Sequence, residues 1–296
     1  MQKRLRKHEP YIMLTPGFLL MLFFLGYPLL NTMVMAFQSY KLTSPSTMGD
    51  FAGLQNFREV FQDGDFGLIL YNSLIWVVVT VGAQFIFGLI LALALRRPFP
   101  GRNLYQAVVF LPWAVSSFVV GLTFQWLFNA EYGPVNDLLL RWGIIGERIY
   151  FLSDPNMALL SVIITMTWYG IPFFAIMLLA AMQSIPEDLY EAADMDGAGP
   201  FRKFWYITLK YIKPTIILTL LLRSIWVFAA ADLIYIMTKG GPANSSNILS
   251  SYMFLKAYST LNYGHAAAVG LIFMALLIAF SALFLKASKY EKAGDF

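Results

Sequence analysis

Charge-free apolar windows recur along the chain, and each is longer than the ~20 residues that an α-helix needs to cross a bilayer core. The fifth window is interrupted by Arg223 and Asp232. The pattern predicts an all-α, polytopic membrane protein, with residues 1–296 forming a single transmembrane domain. The predicted transmembrane helices cover about residues 11–37, 67–95, 104–129, 157–183, 214–237 and 265–286.

Composition agrees with a membrane protein and excludes several kinds of site. The chain is 58% hydrophobic and 13% charged, whereas a soluble domain carries roughly a quarter charged residues. It has no Cys, so disulfides and thiolate chemistry are excluded, and its two His residues, His8 and His265, are far apart. We therefore expect no metal site. The net charge of +4 needs no nucleic-acid partner, because basic residues beside membrane spans account for it.

The distribution of Lys and Arg predicts the orientation. Six spans place both termini on one side, and if that side is cytoplasmic the inside is strongly enriched in basic residues. The inside set is Lys3, Arg4, Arg6, Lys7, Arg96, Arg97, Arg102, Arg202, Lys203, Lys210, Lys213, Lys286, Lys289 and Lys292. The outside set is Lys41, Arg58, Arg141, Arg148, Lys239 and Lys256. A signal peptide is the alternative at the N-terminus, but the apolar run is too long for one.

The loop at residues 184–213, called the coupling loop below, is acidic and helix-forming although it joins two apolar segments. Ser184 and Glu187 have the spacing of a capping box, with Pro186 in the first turn. Gly197 is expected to end the first helix in the left-handed conformation, and Pro200 to begin a second. This pattern predicts two short helices that dock into a soluble partner. The alternative is an amphipathic helix lying on the bilayer surface.

The residues of this loop resemble the EAA loop of ABC importer permeases. Glu191-Ala192-Ala193 is followed after three residues by Gly197 and after nine more by Ile207-Thr208-Leu209. The string from 190 to 209 is similar to the carbohydrate-type branch, although Lys210 stands where the family pattern has Pro. External stretches at residues 51–61, 132–139 and 237–244 resemble the same branch, so the resemblance covers about residues 10–286.

The resemblance implies a permease subunit of a binding-protein-dependent importer in the cell inner membrane. Its expected partners are a second homologous permease, two ATP-binding-cassette subunits, an extracytoplasmic solute-binding protein, a sugar-like solute and membrane lipid. ATP and Mg would bind the ATPase subunits, and this chain would bind no cofactor. The implied ATPase-coupling residues are Glu191, Ala192, Ala193, Asp196, Gly197, Ala198 and Phe201.

Arg223 is a basic residue near the middle of the fifth predicted span. A mid-membrane cation costs at least ~2.5 kcal/mol, so it should face a wet cavity or an acid. It either lines the solute path or braces the partner permease, and Trp226 shares its helix face. The resemblance nominates further residues for the solute path on spans four and five. These are Thr167, Tyr169, Gly170, Phe173, Trp226, Val227 and Ala230.

No catalytic constellation is present, so we expect a non-enzymatic subunit. The sequence has no Walker loop, Gly-x-x-x-x-Gly-Lys-Ser/Thr, and neither His has the context of a hydrolase. Two alternatives remain open on the sequence. One is an ion-coupled secondary transporter, although Asp232 is the sole acid in a span and no repeat is visible. The other is an ABC importer for a solute that is not a sugar.

Overall fold

The computed structural model describes residues 2–288, and its internal contacts divide the chain into two compact units. One unit joins the chain up to Asp63 with Met253–Phe273, and the other joins Gly64–Tyr252 with the residues from Met274 onward. Lys289 and Lys292 of the charge count lie outside the described residues. The single-domain assignment stays a prediction beside this division.

The first unit begins with a long apolar helix and a small hairpin. Within its apolar body most side chains are exposed around the whole helix, as expected for a segment whose neighbours are lipid or another chain. The strands pair antiparallel with Gln38 opposite Phe51, and the Asn56 amide donates to the Ala36 and Gln38 carbonyls. The elements are α1 (Gln2–Met21), a π-helical turn (Leu22–Gly26), α2 (Tyr27–Ala36), β1 (Gln38–Ser39), a 3₁₀ turn (Pro45–Thr47), β2 (Asp50–Phe51) and α3 (Gln55–Gln62).

The second unit holds a helical core in which α4 packs along α8 and α11 packs against both. Large buried side chains such as Trp76, Phe174 and Leu178 fill the space between these helices. Helices α13 and α14 contribute residues to both units. The elements from residue 64 onward are α4 (Phe66–Arg96), α5 (Arg102–Ala114), α6 (Ser117–Leu127), α7 (Pro134–Arg141), α8 (Ala158–Gln183), α9 (Asp188–Met195), α10 (Pro200–Lys203), a π-helical turn (Phe204–Thr208), α11 (Leu209–Ala229), α12 (Ala231–Met237), α13 (Leu249–Tyr258) and α14 (Tyr263–Ser288).

Long apolar helices match the first, second, fourth and sixth predicted spans within a few residues. These helices cover Met13–Ala36, Phe66–Arg96, Ala158–Gln183 and Tyr263–Ser288. The all-α polytopic prediction is confirmed, because apolar windows of this length have no other way to satisfy their backbone groups in hydrocarbon.

The third predicted span is two helices rather than one. Helices α5 and α6 are bent by 93° at a short break. Val115 and Ser116 have extended backbones there, and the Ser116 hydroxyl accepts from the Phe118 N–H as an N-cap. A polar cap inside an apolar window starts a new helix, so hydropathy alone gave the wrong shape.

The fifth predicted span, 214–237, is also corrected. The apolar helix runs over Pro200–Ala229, passing through Pro214, and ends at Ala230, where ψ is 77°. Helix α12 follows as a separate short element. Asp232 therefore lies in the first turn of α12, where a carboxylate is favoured by the helix dipole, and not on a straight helix nine residues beyond Arg223.

Candidate functional site

The first half of the coupling loop is a short exposed helix, α9, with a glycine stop. Asp188 and Glu191 lie in its first turn. At its end the Gly197 N–H donates to Asp194 and the Ala198 N–H donates to the Ala193 carbonyl, at 3.0 and 2.8 Å. This is a Schellman closure with Gly197 at a φ of +72°. The predicted left-handed stop is confirmed.

The predicted capping box is wrong. Ser184 ends α8, and its hydroxyl donates to the Ala181 carbonyl at 2.9 Å. Helix α9 begins at Asp188, and no side chain caps its N-terminus. Helix α8 of the fourth span extends to Gln183, so Ser184 is the C-cap residue of α8 and does not cap α9.

The second half of the loop does not form a separate helix. Pro200 begins α10, as predicted, but the helix then continues through the π-helical turn at Phe204–Thr208 directly into α11. Lys210, which replaces the proline of the family pattern, lies inside this helix. The expectation of a second short helix ending by residue 213 is therefore wrong. The loop therefore joins α9, through the turn at residues 196–199, to the long helix of the fifth span.

Most of the residues predicted to couple to an ATPase are exposed. Glu191, Ala192, Asp196 and Gly197 are exposed, while Ala193 and Ala198 are half-buried. Phe201 is 75% exposed and Met195 is 90% exposed. Exposed apolar side chains among acids are typical of a protein-docking surface.

Contacts missed by the sequence reasoning hold this surface to the membrane core. The Tyr190 hydroxyl and the Thr208 hydroxyl are 2.8 Å apart, which joins α9 to the start of the fifth span. The Arg96 guanidinium lies 4.3 Å from the centre of the Tyr190 ring, which joins α9 to the end of α4. Lys203 pairs with Asp194 across the turn. Tyr190 is the central residue, since it contacts both spans.

Arg223 is buried inside the second unit, with 3% of its surface exposed. Its Nε donates to the Gln84 Oε1 at 2.7 Å, and the Gln84 Nε2 donates to the Met166 carbonyl at 2.6 Å. Gln84 comes from α4 and Met166 from α8, so three helices share this network. The Arg223 Nη2 is buried and has no hydrogen-bond partner among the described residues. The guanidinium thus keeps a donor for another group.

Gly170 makes room for this guanidinium. A methyl group at that position would overlap both the Gln84 amide and the Arg223 Nη2. The Arg223 side chain also lies 5.7 Å from the centre of the Phe173 ring, and that ring is 5.4 Å from the ring of Trp226. We call Gln84, Gly170, Phe173, Arg223 and Trp226 the arginine site.

The remaining residues predicted for the solute path are Thr167, Tyr169, Val227 and Ala230. Tyr169 is half-buried and packs against the core, and the Thr167 hydroxyl is buried without a hydrogen-bond partner among the described residues. Val227 is fully buried, and its carbonyl accepts from the Trp76 indole at 2.7 Å. Ala230 forms the break that ends α11. Trp226 is 43% exposed and is the member of the arginine site that reaches the surface of the chain.

Gln84 is the functional candidate that sequence reasoning missed. Its side chain is completely buried, and it is an uncharged residue in an apolar window, so a search for charges passed over it. An amide in a membrane span is nevertheless a signal, because it must find hydrogen-bond partners inside the bundle.

The loop after residue 237 is held against α4 by hydrogen bonds from the Asn72 amide. Asn72 Nδ2 lies 3.0–3.3 Å from the carbonyls of Asn244, Ser245 and Asn247. Asn244 also donates to Asp65 at 2.6 Å. The stretch after residue 237 that resembled a family feature is therefore folded against the beginning of α4.

The chain matches the family model described as "Binding-protein-dependent transport system inner membrane component" over residues 84–288. It is 35% identical to the sulfoquinovosyl glycerol transport system permease protein SmoG of Agrobacterium fabrum, covering 93% of this chain and 88% of that protein. It is 31% identical to the trehalose/maltose transport system permease protein MalF of Thermococcus litoralis, covering 95% and 94%.

A solved structure has the same fold. It is a crystal structure of a bacterial alginate ABC transporter in complex with an alginate pentasaccharide-bound periplasmic protein. A chain of that complex superposes with a TM-score of 0.83 at 26% identity, covering 97% of this chain and 96% of that one.

Proposed function

We propose that this chain, which belongs to the family of binding-protein-dependent transport system inner membrane components, forms part of the membrane path of an ATP-driven ABC importer for a sugar or a sugar derivative. The observation that carries the proposal is the family match over residues 84–288, together with near full-length similarity to permeases named for carbohydrate transport. Their names refer to a sugar glycerol derivative and to disaccharides, and the structural neighbour transports alginate.

The partners follow from this family. We infer a second homologous permease subunit, two ATP-binding-cassette subunits that carry ATP and Mg, and an extracytoplasmic solute-binding protein. The periplasmic protein in the alginate complex supports the last of these. This chain would be non-catalytic, and both of its termini would be cytoplasmic, as the Lys and Arg distribution indicates. The family favours ATP as the energy source over an ion gradient.

The coupling loop would carry the force of ATP hydrolysis into the membrane. Helix α9 presents Glu191 and Ala192 on its exposed surface and is followed by the exposed Asp196, which suits docking into a groove of an ATPase. Helix α10 is continuous with the fifth span as far as Ala229. Because the Tyr190 hydroxyl is hydrogen-bonded to the Thr208 hydroxyl at the start of that helix, a displacement of α9 would also act on the helix that carries Arg223.

The arginine site would bind the solute on its way through. Arg223 has a donor group with no partner among the described residues, and a planar guanidinium suits sugar hydroxyls or an anionic sugar substituent. Phe173 and Trp226 supply aromatic faces for the C–H surfaces of a sugar ring. Gln84 would position the guanidinium. Since Arg223 is almost fully buried here, solute binding would require a conformation in which the helices around it separate.

Reconstitution tests this function. The chain is purified with the subunits that accompany it, placed in vesicles and assayed for solute uptake against a panel of neutral and acidic sugars. We expect uptake to require ATP and the loaded binding protein, and expect that protein to stimulate ATP hydrolysis. Uptake that persists without ATP and follows a proton or sodium gradient would contradict the proposal. ATP-dependent uptake of a solute that is not a sugar would contradict the solute class alone.

A further inference from the structure

A cleft of about 730 Å³ lies between the end of α4 and the beginning of the fifth span, beside the coupling loop. Part of its wall is apolar, with Leu93, Ala94 and Phe204. Three cations line it as well. They are Arg96, Arg97 and Lys203. We call this feature the basic cleft.

The cations differ in how free they are to bind an anion. Lys203 pairs with Asp194, so its charge is already balanced in part. Arg96 lies over the Tyr190 ring, which occupies one face of its guanidinium and leaves the N–H groups at its edge. Arg97 is exposed and has left the helix, with an extended backbone. The two arginines are therefore the anion-binding groups, and Arg96 is held in place by an aromatic ring.

The position of the cleft identifies the source of the anion. Arg96 is the last residue of a 31-residue apolar helix, so it marks the end of a membrane span. Leu93 and Ala94 precede Arg96 in that helix and continue the wall toward the hydrocarbon side. A free phosphate would bind to the cations and would make no favourable contact with this apolar wall. A phospholipid would use both, with its phosphate on the arginines and its acyl chains along α4.

We propose that the basic cleft binds the phosphate of an anionic phospholipid. Basic pockets at the cytoplasmic ends of membrane helices are suited to such headgroups. The bound lipid would bridge α4 to the coupling loop, because Tyr190 and Lys203 of that loop line the same cleft. Binding itself depends on neither the solute nor ATP. Any effect of the bound lipid on ATP hydrolysis, through the coupling loop, rests on the proposed function.

The test measures lipid binding by the purified complex in a neutral detergent. Phosphatidylglycerol and phosphatidylcholine are titrated separately, and bound lipid is counted by native mass spectrometry. We expect phosphatidylglycerol to be retained in preference to phosphatidylcholine. In Arg96→Gln/Arg97→Gln its apparent affinity should fall roughly tenfold or more, because charge near the surface contributes strongly to such binding.

A control removes one positive charge from a neighbouring site and is matched to the single variant Arg97→Gln. Arg202 is exposed on α10 beside Lys203 but does not line the cleft, so Arg202→Gln should keep the affinity for phosphatidylglycerol. If the double variant fails to assemble, Arg97→Gln replaces it, since Arg97 is exposed and its loss leaves the Arg96–Tyr190 contact intact.

Three outcomes overturn the proposal. Equal phosphatidylglycerol affinity in the wild type and the arginine variants would show that the lipid binds elsewhere. Equal loss in Arg202→Gln would reduce the effect to general surface charge. Full competition by inorganic phosphate at the same concentration would assign the cleft to a free anion. None of these depends on uptake, so failure of the proposed function would be seen separately in the vesicle assay.

Discussion

Gln84→Met tests whether the buried guanidinium depends on an amide from another helix. Met has a similar volume and no strong acceptor, so the change removes the Arg223 Nε hydrogen bond while largely preserving the packing. A hydrogen bond to a charged group contributes about 1.5–3 kcal/mol. The ratio of folded to unfolded protein should therefore fall roughly ten- to a hundredfold, and uptake should fall as the guanidinium loses its orientation.

A double-mutant cycle isolates this pair from the rest of the bundle. The complex is unfolded by denaturant in nanodiscs as wild type, Gln84→Met, Arg223→Met and the double variant. Each single change strands a buried polar group, whereas the double change removes both, so it should be no more harmful than the worse single. We expect a coupling energy of about 1–3 kcal/mol.

If the two single effects add to within about 0.5 kcal/mol, Gln84 and Arg223 do not depend on each other and the network is unimportant. Gln125→Met provides the control, because Gln125 is an exposed amide on α6 and the same substitution there should leave stability and uptake nearly unchanged.

Three further predictions concern the coupling loop, the solute path and the loop after residue 237. Gly197→Ala should reduce co-purification with the ATPase and stimulated ATP hydrolysis, because a side chain on this left-handed backbone costs roughly 1–2 kcal/mol. Gly199→Ala is the control, since a methyl group there also meets no neighbouring atom but the backbone has an ordinary φ. Equal effects of the two substitutions would contradict the prediction. Arg223→Ala should abolish uptake, while size-exclusion chromatography still shows an assembled complex, and Arg223→Lys should restore little of the uptake. Lost assembly would instead favour a role for Arg223 in bracing the partner permease. Asn72→Ala should weaken the stimulation of ATP hydrolysis by the loaded binding protein, because it removes the hydrogen bonds from Asn72 to the carbonyls of the loop after residue 237. Unchanged stimulation would contradict this prediction.

Local features of this protein follow from short stretches of sequence. Apolar windows longer than a bilayer require helices wherever they occur, so the second and fourth spans could be predicted within a few residues. Gly197 was predictable from local sequence as well, since a left-handed residue that closes a helix is most often glycine. The family resemblance of the coupling loop, which the comparison confirms, also lies within one continuous string from 190 to 209.

Element boundaries were less secure because neighbouring helices compete for the same residue. Ser184 has the chemistry of an N-cap, yet the preceding helix reaches it first and uses its hydroxyl on its own last turn. Ser116 has the same chemistry and does cap a helix, inside a window that hydropathy treats as continuous. The choice depends on where the adjoining helices pack, and periodicity does not contain that information.

The sequence by itself determined that the chain is a bundle of apolar helices with an exposed acidic helix between two of them. It also determined that Arg223 must be satisfied somewhere, because an unpaired cation in hydrocarbon is too costly. Only the tertiary structure decided that its partner is Gln84, 139 residues earlier, and that Arg96 lies on Tyr190. Apolar burial is a property of each segment, whereas a hydrogen bond requires two atoms within about 3 Å, and the packing of distant helices decides which atoms meet.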